Sequence, residues 1–238
     1  MSFIWTRRYK AREILPWDHP SNLVFYDEYG KLVDINTLPV PPHLVLKDEN
    51  GYLIDTELAE RPEQVISNFF IDPDSTVLEL GARYGSVSCI INKKLNDKTK
   101  QVSVEPDKIV WSVLDNNIAE NGCSIRVHKG FVANTPRILD KYWGYASQSS
   151  AVEESEVISL SVKDLESKYE LTFDTLVADC EGFLETFFNE HPFMYSQLKT
   201  VIFEADAPNI CNYDIIRNTL KENGFREIYH GFQNVYKK

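Results

Sequence analysis

The sequence predicts an α/β fold built on a mainly parallel sheet, and three observations carry that expectation. Residues 75–95 pass from a short apolar run, Thr76 to Leu80, through a turn bounded by Gly81 and Gly85 into apolar positions at helical spacing, Val87, Ile90, Ile91 and Leu95. Strand-like and helix-like stretches then alternate to about residue 223, the pattern of successive βα units. Beyond them, two strand-like stretches meet at His230-Gly231, a connection so short that the pair must be antiparallel.

Composition bounds what such a chain can do. With 238 residues it can bury a sizeable core, as one large domain or one domain with an appendage. A hydrophobic fraction of 43% and a charged fraction of 26% are ordinary for a globular protein. The formal charge of −11 argues against nucleic acid as the main partner, because phosphate backbones are bound by clustered Lys and Arg. Only Arg7, Arg8, Lys10 and Arg12 form a basic stretch, read as a solvated strand or tail. Cys89, Cys123, Cys180 and Cys211 are scattered without metal-ligand spacing, so a reducing compartment is expected. No apolar run resembles a signal core or a membrane span, and a cytoplasmic protein without a membrane partner is expected.

Taken in order, Val24 to Asp34 and Val45 to Asp55 share the pattern Asp-Glu-x-Gly-x-Leu-Val/Ile-Asp, each reading as strand, turn and strand. They are expected to form a duplicated hairpin appendage over residues 1–60, a structural cap or a dimerisation or acceptor-recognition element, with the main domain at 61–238. Glu60 to Phe70 reads as a helix with Val65, Ile66, Phe69 and Phe70 on its apolar face. Strands are expected at Gln101–Glu105, at Ile125–His128 and ending at Asp179 and Glu204; helices are expected at Asp107–Asn121, stopped by Gly122, and Asn209–Asn223, stopped by Gly224. Lys141 to Ser155 is polar, Gly-containing and aperiodic while carrying Tyr142, Trp143 and Tyr145, which reads as either a mobile lid over a ligand or a surface loop.

The turn at residues 81–85 is where a cofactor would approach, since open α/β sheets bind ligands beyond strand carboxyl ends. A phosphate loop needs Gly-Lys-Ser/Thr at the start of the helix, and no lysine lies between Gly81 and Gly85. The dinucleotide fingerprint needs glycines where Arg83 and Ser86 stand. What remains is Glu79-x-Gly81-x-x-x-Gly85, which resembles the first motif of S-adenosylmethionine-dependent methyltransferases. Glu105 lies 24 residues beyond Gly81 at a strand end, where a carboxylate can accept both ribose hydroxyl protons of an adenosine.

The resemblance narrows when further segments are added. Val77 to Ser88, Val104-Glu-Pro-Asp107, Asn116 to Gly122, Leu160-Ser-Val-Lys-Asp-Leu165, Asp179-Cys-Glu-Gly-Phe-Leu-Glu185 and Val201-Ile-Phe-Glu204 together resemble the FkbM family of O-methyltransferases, from about residue 65 onward. The resemblance implies a Rossmann-like methyltransferase sandwich with a seven-stranded sheet and an antiparallel carboxyl-terminal hairpin. It also implies an S-adenosyl-L-methionine site drawn from Glu79, Gly81, Ala82, Arg83, Tyr84, Gly85, Glu105, Pro106, Phe131 and Asp179, and a carbohydrate or glycan hydroxyl as acceptor. Cys180 departs from a usually aliphatic position, and Gly130-Phe-Val132 lacks the acid many methyltransferases offer to adenine.

Methyl transfer to a hydroxyl needs alignment of oxygen, carbon and sulfur and removal of the hydroxyl proton. Asp179, Glu181 and Glu204 are the expected catalytic carboxylates, with Asp206 beside them. Their repulsion either raises a pKa, suiting a general base, or is relieved by a Mg2+ ion at Asp179, Glu204 and Asp206; the metal-free base is preferred. Tyr145, Gln148, Glu181, His191 and Asp206 are expected on the acceptor side. A nicotinamide-dependent oxidoreductase and a non-enzymatic binding module on the same fold are the rival functions.

Overall fold

The structure, a computed structural model, describes residues 24–26, 32–34, 40–143 and 146–238. Val24–Tyr26 (β1) and Leu32–Asp34 (β2) pair antiparallel, with Val24 opposite Asp34, as the first expected hairpin requires. The second expected hairpin is smaller than the sequence suggests. Its pairing consists of a bridge between Lys47 and Leu53, with Asp48 N–H donating to the Tyr52 carbonyl at 2.9 Å around Gly51 at φ +81°.

This second turn is not an appendage. Leu44, Leu46, Ile54 and Ala59 are buried in one cluster with Tyr84, Ile90 and Leu114 of the main domain. Asn117 and Asn121 clasp it by donating to the carbonyls of Lys47 and Val45, each at 2.9 Å. Residues 44–59 therefore share a core with residues beyond the expected boundary at 60. The repeated Asp-Glu-x-Gly pattern marks a turn but does not reveal that Leu44 and Leu46 are buried against another element.

Arg61–Phe70 (α1) precedes Val77–Leu80 (β3), Ser86–Lys94 (α2), Gln101–Val104 (β4), Trp111–Glu120 (α3), Arg126–His128 (β5) and Phe131–Val132 (β6). Arg137–Trp143 (β7) and Ala146–Ala151 (β8) follow, then Ser159–Leu160 (β9) and Val162–Tyr169 (α4). Thr175–Ala178 (β10), Leu184–Glu190 (α5), Met194–Gln197 (α6), Thr200–Glu204 (β11), Tyr213–Glu222 (α7), Arg226–His230 (β12) and Gln233–Lys237 (β13) complete the order.

Seven strands form the central sheet in the order β12-β13-β11-β10-β3-β4-β5. The five from β11 to β5 are parallel, and β13 runs antiparallel to both β11 and β12, so the expected mainly parallel sheet with a terminal hairpin is the observed one. β3, β4 and β10 are buried at every position, including the polar Glu79, Gln101 and Ser103, as expected of central strands covered on both faces. Leu78, Leu80, Val102, Leu176 and Phe203 pack on one face against α4, α5 and α7. Val77, Val177, Ile202 and Val235 pack on the other against α1 and α2. β3 sits between β10 and β4, so chain order reverses there, and the crevice opens beyond these strands' carboxyl ends.

The stretch read as a mobile lid or a surface loop contributes to a β-ribbon. β7 and β8 form an antiparallel ribbon, with a register shift between Leu139 and Lys141. Ala146-Ser-Gln-Ser-Ser-Ala151 has no apolar alternation, which hid the strand from a reading based on hydrophobic period. Tyr145 lies outside the described residues. The four cysteines are free, and no helix of the described residues is long and apolar enough to cross a membrane.

Candidate functional site

The turn after β3 is shaped by the protein backbone. Gly81 has φ +94°, and a Cβ there would lie 1.8 Å from the Asp179 carbonyl oxygen, so glycine is demanded by the neighbouring strand end. Gly81 and Ala82 N–H both donate to the Val104 carbonyl, at 3.1 and 3.0 Å, closing the turn against β4. Arg83 follows at φ +44°, and its N–H points out of the turn to the carboxylate of Glu105 at 2.7 Å.

Glu105 is held from two sides. Its other oxygen accepts from Asp107 N–H at 2.7 Å, and Arg83 Nη1 reaches Asp107 at 2.7 Å, bracing the acid from behind. Glu105 is 4% exposed and lines the crevice. Burial pushes its carboxyl up to about 7, although the Asp107 and Arg83 N–H groups pull the other way. A carboxylate has about four acceptor positions, and two are used here, which leaves two for ligand hydroxyls.

Beside Glu105 the crevice has an apolar lining of Val104, Pro106, Phe131, Val132 and Leu139. Pro106, Phe131, Gly81, Arg83 and Asp179 are thus where a cofactor site was expected. Including its solvent-open part, the space amounts to about 730 Å³. Ser147 and Ser149 of β8 form its outer wall.

Four expected cofactor residues are not on the walls. Glu79 is 2% exposed inside β3, where it accepts hydrogen bonds from Ser103 Oγ and, at 3.5 Å, Gln101 Nε2; burial outweighs these and raises its carboxyl to about 7. Ala82 and Tyr84 are buried in the cluster with Leu44 and Leu46, and the Tyr84 hydroxyl donates to Glu49. Gly85 starts α2 at φ +85°, with Leu114 Cδ1 3.1 Å from a Cβ placed there, so helix packing rather than a ligand requires it. Glu79 and Gly85 are better read as residues that shape the turn from below.

On the opposite side of β3, carboxylates crowd the ends of β10 and β11. Oxygens of Glu63, Asp179 and Glu204 lie within 4.8 Å of one another, and so do oxygens of Asp179, Glu181 and Asp206. Asp179 belongs to both groups. Glu181 adopts φ +51°, an uncommon conformation for a residue with a Cβ, and lines the crevice together with Asp179. Gln233 Nε2 donates to Glu204 at 2.8 Å, and the Tyr213 hydroxyl donates to Asp206 at 2.8 Å. Burial first, then the neighbouring acids, drives the Glu63 and Glu204 carboxyls well above the usual range. The expected grouping of Asp179, Glu204 and Asp206 is therefore two groups, with Glu63 beside Glu204 and Asp206 in the other.

Two expected acceptor residues are displaced. His191 caps α5, is 2% exposed and packs edge-on against Phe187 at 5.3 Å, away from the crevice. Gln148 falls between the crevice-lining Ser147 and Ser149, and the two-residue period of a strand turns it to the other face of the ribbon.

Sequence reasoning missed Glu60, Glu63, Phe183 and the two serines. Glu63 had a visible signal: with Ile66 and Phe70 it occupies positions i, i+3 and i+7 of α1, an acid on the apolar face of an amphipathic helix. Glu60 lines the crevice one residue ahead of α1 and accepts from the Ser86 hydroxyl.

No family model and no curated protein matches the chain. Among solved structures, an O-methyltransferase from Bacillus cereus in complex with SAH is 11% identical, over 85% of this chain and 86% of that one, with a TM-score of 0.46. A precorrin-6y C5,15-methyltransferase from Geobacter metallireducens is 10% identical over 82% and 96% of the two chains, with a TM-score of 0.46. An SAH-bound methyltransferase from Podospora anserina is 10% identical over 76% and 80%, with a TM-score of 0.44. No residue's role follows from these similarities.

Proposed function

We propose that this chain transfers a methyl group from S-adenosylmethionine to a hydroxyl oxygen of a sugar or glycan. The observation that carries the reading is Glu105, fixed by two backbone N–H groups at the foot of an apolar wall, with the acids of β10 on the far side of the same crevice. A nucleoside fits this sequence of surfaces. Its ribose hydroxyls would donate to Glu105, and its base would lie along Pro106, Phe131 and Val132.

Charge separates this cofactor from the nicotinamide rival. Among the described residues, Glu60, Glu105, Asp179 and Glu181 line the crevice, with Arg83 the cation among them. A dinucleotide brings a pyrophosphate into such a site and meets repulsion. S-adenosylmethionine instead brings a sulfonium and an ammonium, both cationic, and one carboxylate within reach of Arg83.

The reaction is a displacement at the methyl carbon. The acceptor oxygen forms the new C–O bond as the C–S bond breaks, its electron pair returns to sulfur, and the hydroxyl proton must pass to a base at the methyl end. Asp179 and Glu181 are the acids that reach the crevice there, and the reading gives Glu181 the proton. The glycan acceptor is supported by the resemblance to the FkbM motifs from about residue 65 onward, including Asp179-x-Glu181-Gly182.

Calorimetric titration tests the cofactor. S-adenosylmethionine and S-adenosylhomocysteine are expected to bind and NAD is not; E105Q is expected to weaken both by at least about tenfold, the loss of one charge-assisted hydrogen bond or more. Binding of NAD in their place returns the oxidoreductase reading. Binding of none by folded protein favours the scaffold. Once binding is established, release of S-adenosylhomocysteine in the presence of candidate glycans identifies the acceptor.

A further inference from the structure

The floor of the acidic edge is arranged for more than a base. Glu63 is 3% exposed, and its carboxylate reaches within 4.8 Å of oxygens of Asp179 and Glu204. Among the described residues no Lys, Arg or His forms an ion pair with Glu63 or Glu204. A buried polar atom stands unmatched beside them. Gln233 is 4% exposed, its amide nitrogen is bonded to Glu204, and its Oε1 has no hydrogen-bond partner.

We infer that Glu63, Asp179 and Glu204 are the ligands of a hard divalent cation, Mg2+ or Mn2+, with the Gln233 amide oxygen as a neutral neighbour of the site. Carboxylate and amide oxygens are the ligands such ions select. The spacing is also right. Oxygens about 2.1 Å from a common ion are about 3 Å apart when adjacent and about 4.2 Å apart when opposite, within the limit the three acids obey. Proton sharing between two of the acids is the competing way to tolerate their burial, and it leaves the folded chain without affinity for a divalent cation.

Asp179 links this floor to the crevice, since it also belongs to the outer group with Glu181 and Asp206. The cation would keep Asp179 ionised and fixed, leaving Glu181 as the base. That role rests on the methyl-transfer reading; the binding itself does not.

The test uses the full chain after removal of metal with a chelator. Mn2+ titrated into it and followed by the electron paramagnetic resonance of the free aqua ion should show one bound ion per chain, displaced by Mg2+. E63Q, which keeps the shape of the side chain, should weaken Mn2+ binding by about tenfold or more while S-adenosylhomocysteine affinity stays within about twofold. E63D should fall between E63Q and wild type, and it decides the matter if E63Q does not fold. Absence of Mn2+ binding by folded wild-type protein overturns the site, as does wild-type affinity in the variants. S-adenosylhomocysteine binding in the same preparation keeps the two proposals apart: Mn2+ without S-adenosylhomocysteine sinks methyl transfer and retains the site, and the reverse sinks the site alone.

Discussion

Gly81 is fixed by a neighbour that is far away in sequence. Its missing side chain makes room for the carbonyl of Asp179, so the end of β3 and the end of β10 approach more closely than any residue with a Cβ permits. Asp179 is then delivered to the crevice on the same turn that Gly81 opens. Gly81→Ala must move that carbonyl and hold alanine at φ +94°, and it is expected to cost at least about 3 kcal/mol, read from urea unfolding midpoints. A loss under 1 kcal/mol, on the order of an ordinary surface change, means the two backbones are further apart than described. Glu105 shows the complementary case, a side chain whose orientation is imposed by backbone N–H groups on both flanks.

At the scale of elements, the ribbon of β7 and β8 sets the outer wall by simple alternation. Ser147 and Ser149 face the crevice and Gln148 faces away. Ser147→Trp is therefore expected to fill the site and lower S-adenosylhomocysteine affinity by about tenfold or more, whereas Gln148→Trp leaves it within about twofold. Equal effects of the two would show that the ribbon's register differs. Legibility follows the same geometry. Gly81, Glu105 and the acids of β10 were readable because a turn, a strand end and a fixed separation leave marks in one local stretch of sequence. Tyr84, Gly85 and His191 carry the right residue types at the right places along the chain, but which way a side chain points depends on segments such as Leu44 and Leu46 that arrive from elsewhere. The ribbon was hidden because its strands are polar on both faces, and Glu63 because an acid in an amphipathic helix is ordinarily solvated.

For the whole molecule, buried acids make stability depend on pH in a direction opposite to that of salt-bridged ones. Glu79 and Glu105 have carboxyls raised from 4.5 to about 7 by burial, so between those values the folded chain holds protons that the unfolded chain has released. Their contribution is fully present below pH 4.5 and is lost as pH rises through about 7. Glu227 works the other way. Hydrogen bonds from Lys221, Tyr236 and His230 outweigh its burial and bring it to about 2, so its contribution is lost only as pH falls below 4.5. Ligand-free, metal-free protein is expected to melt at a lower temperature at about pH 7.5 than at about pH 5. A melting temperature that rises over this interval would count against neutral, protonated carboxyls in the core.

The order of the last three strands bears on how the sheet closes. β13 follows β12 in sequence yet lies between it and β11. Until residues 233–237 have paired, β11 presents an open, apolar margin, and β12 has no neighbour in this sheet to dock on. The crevice is built on β3, β4, β10 and the acids beyond β11, none of which pairs with β12. Loss of the β13 pairing would therefore bare the margin of β11 to other chains while leaving the ligand-facing strands paired.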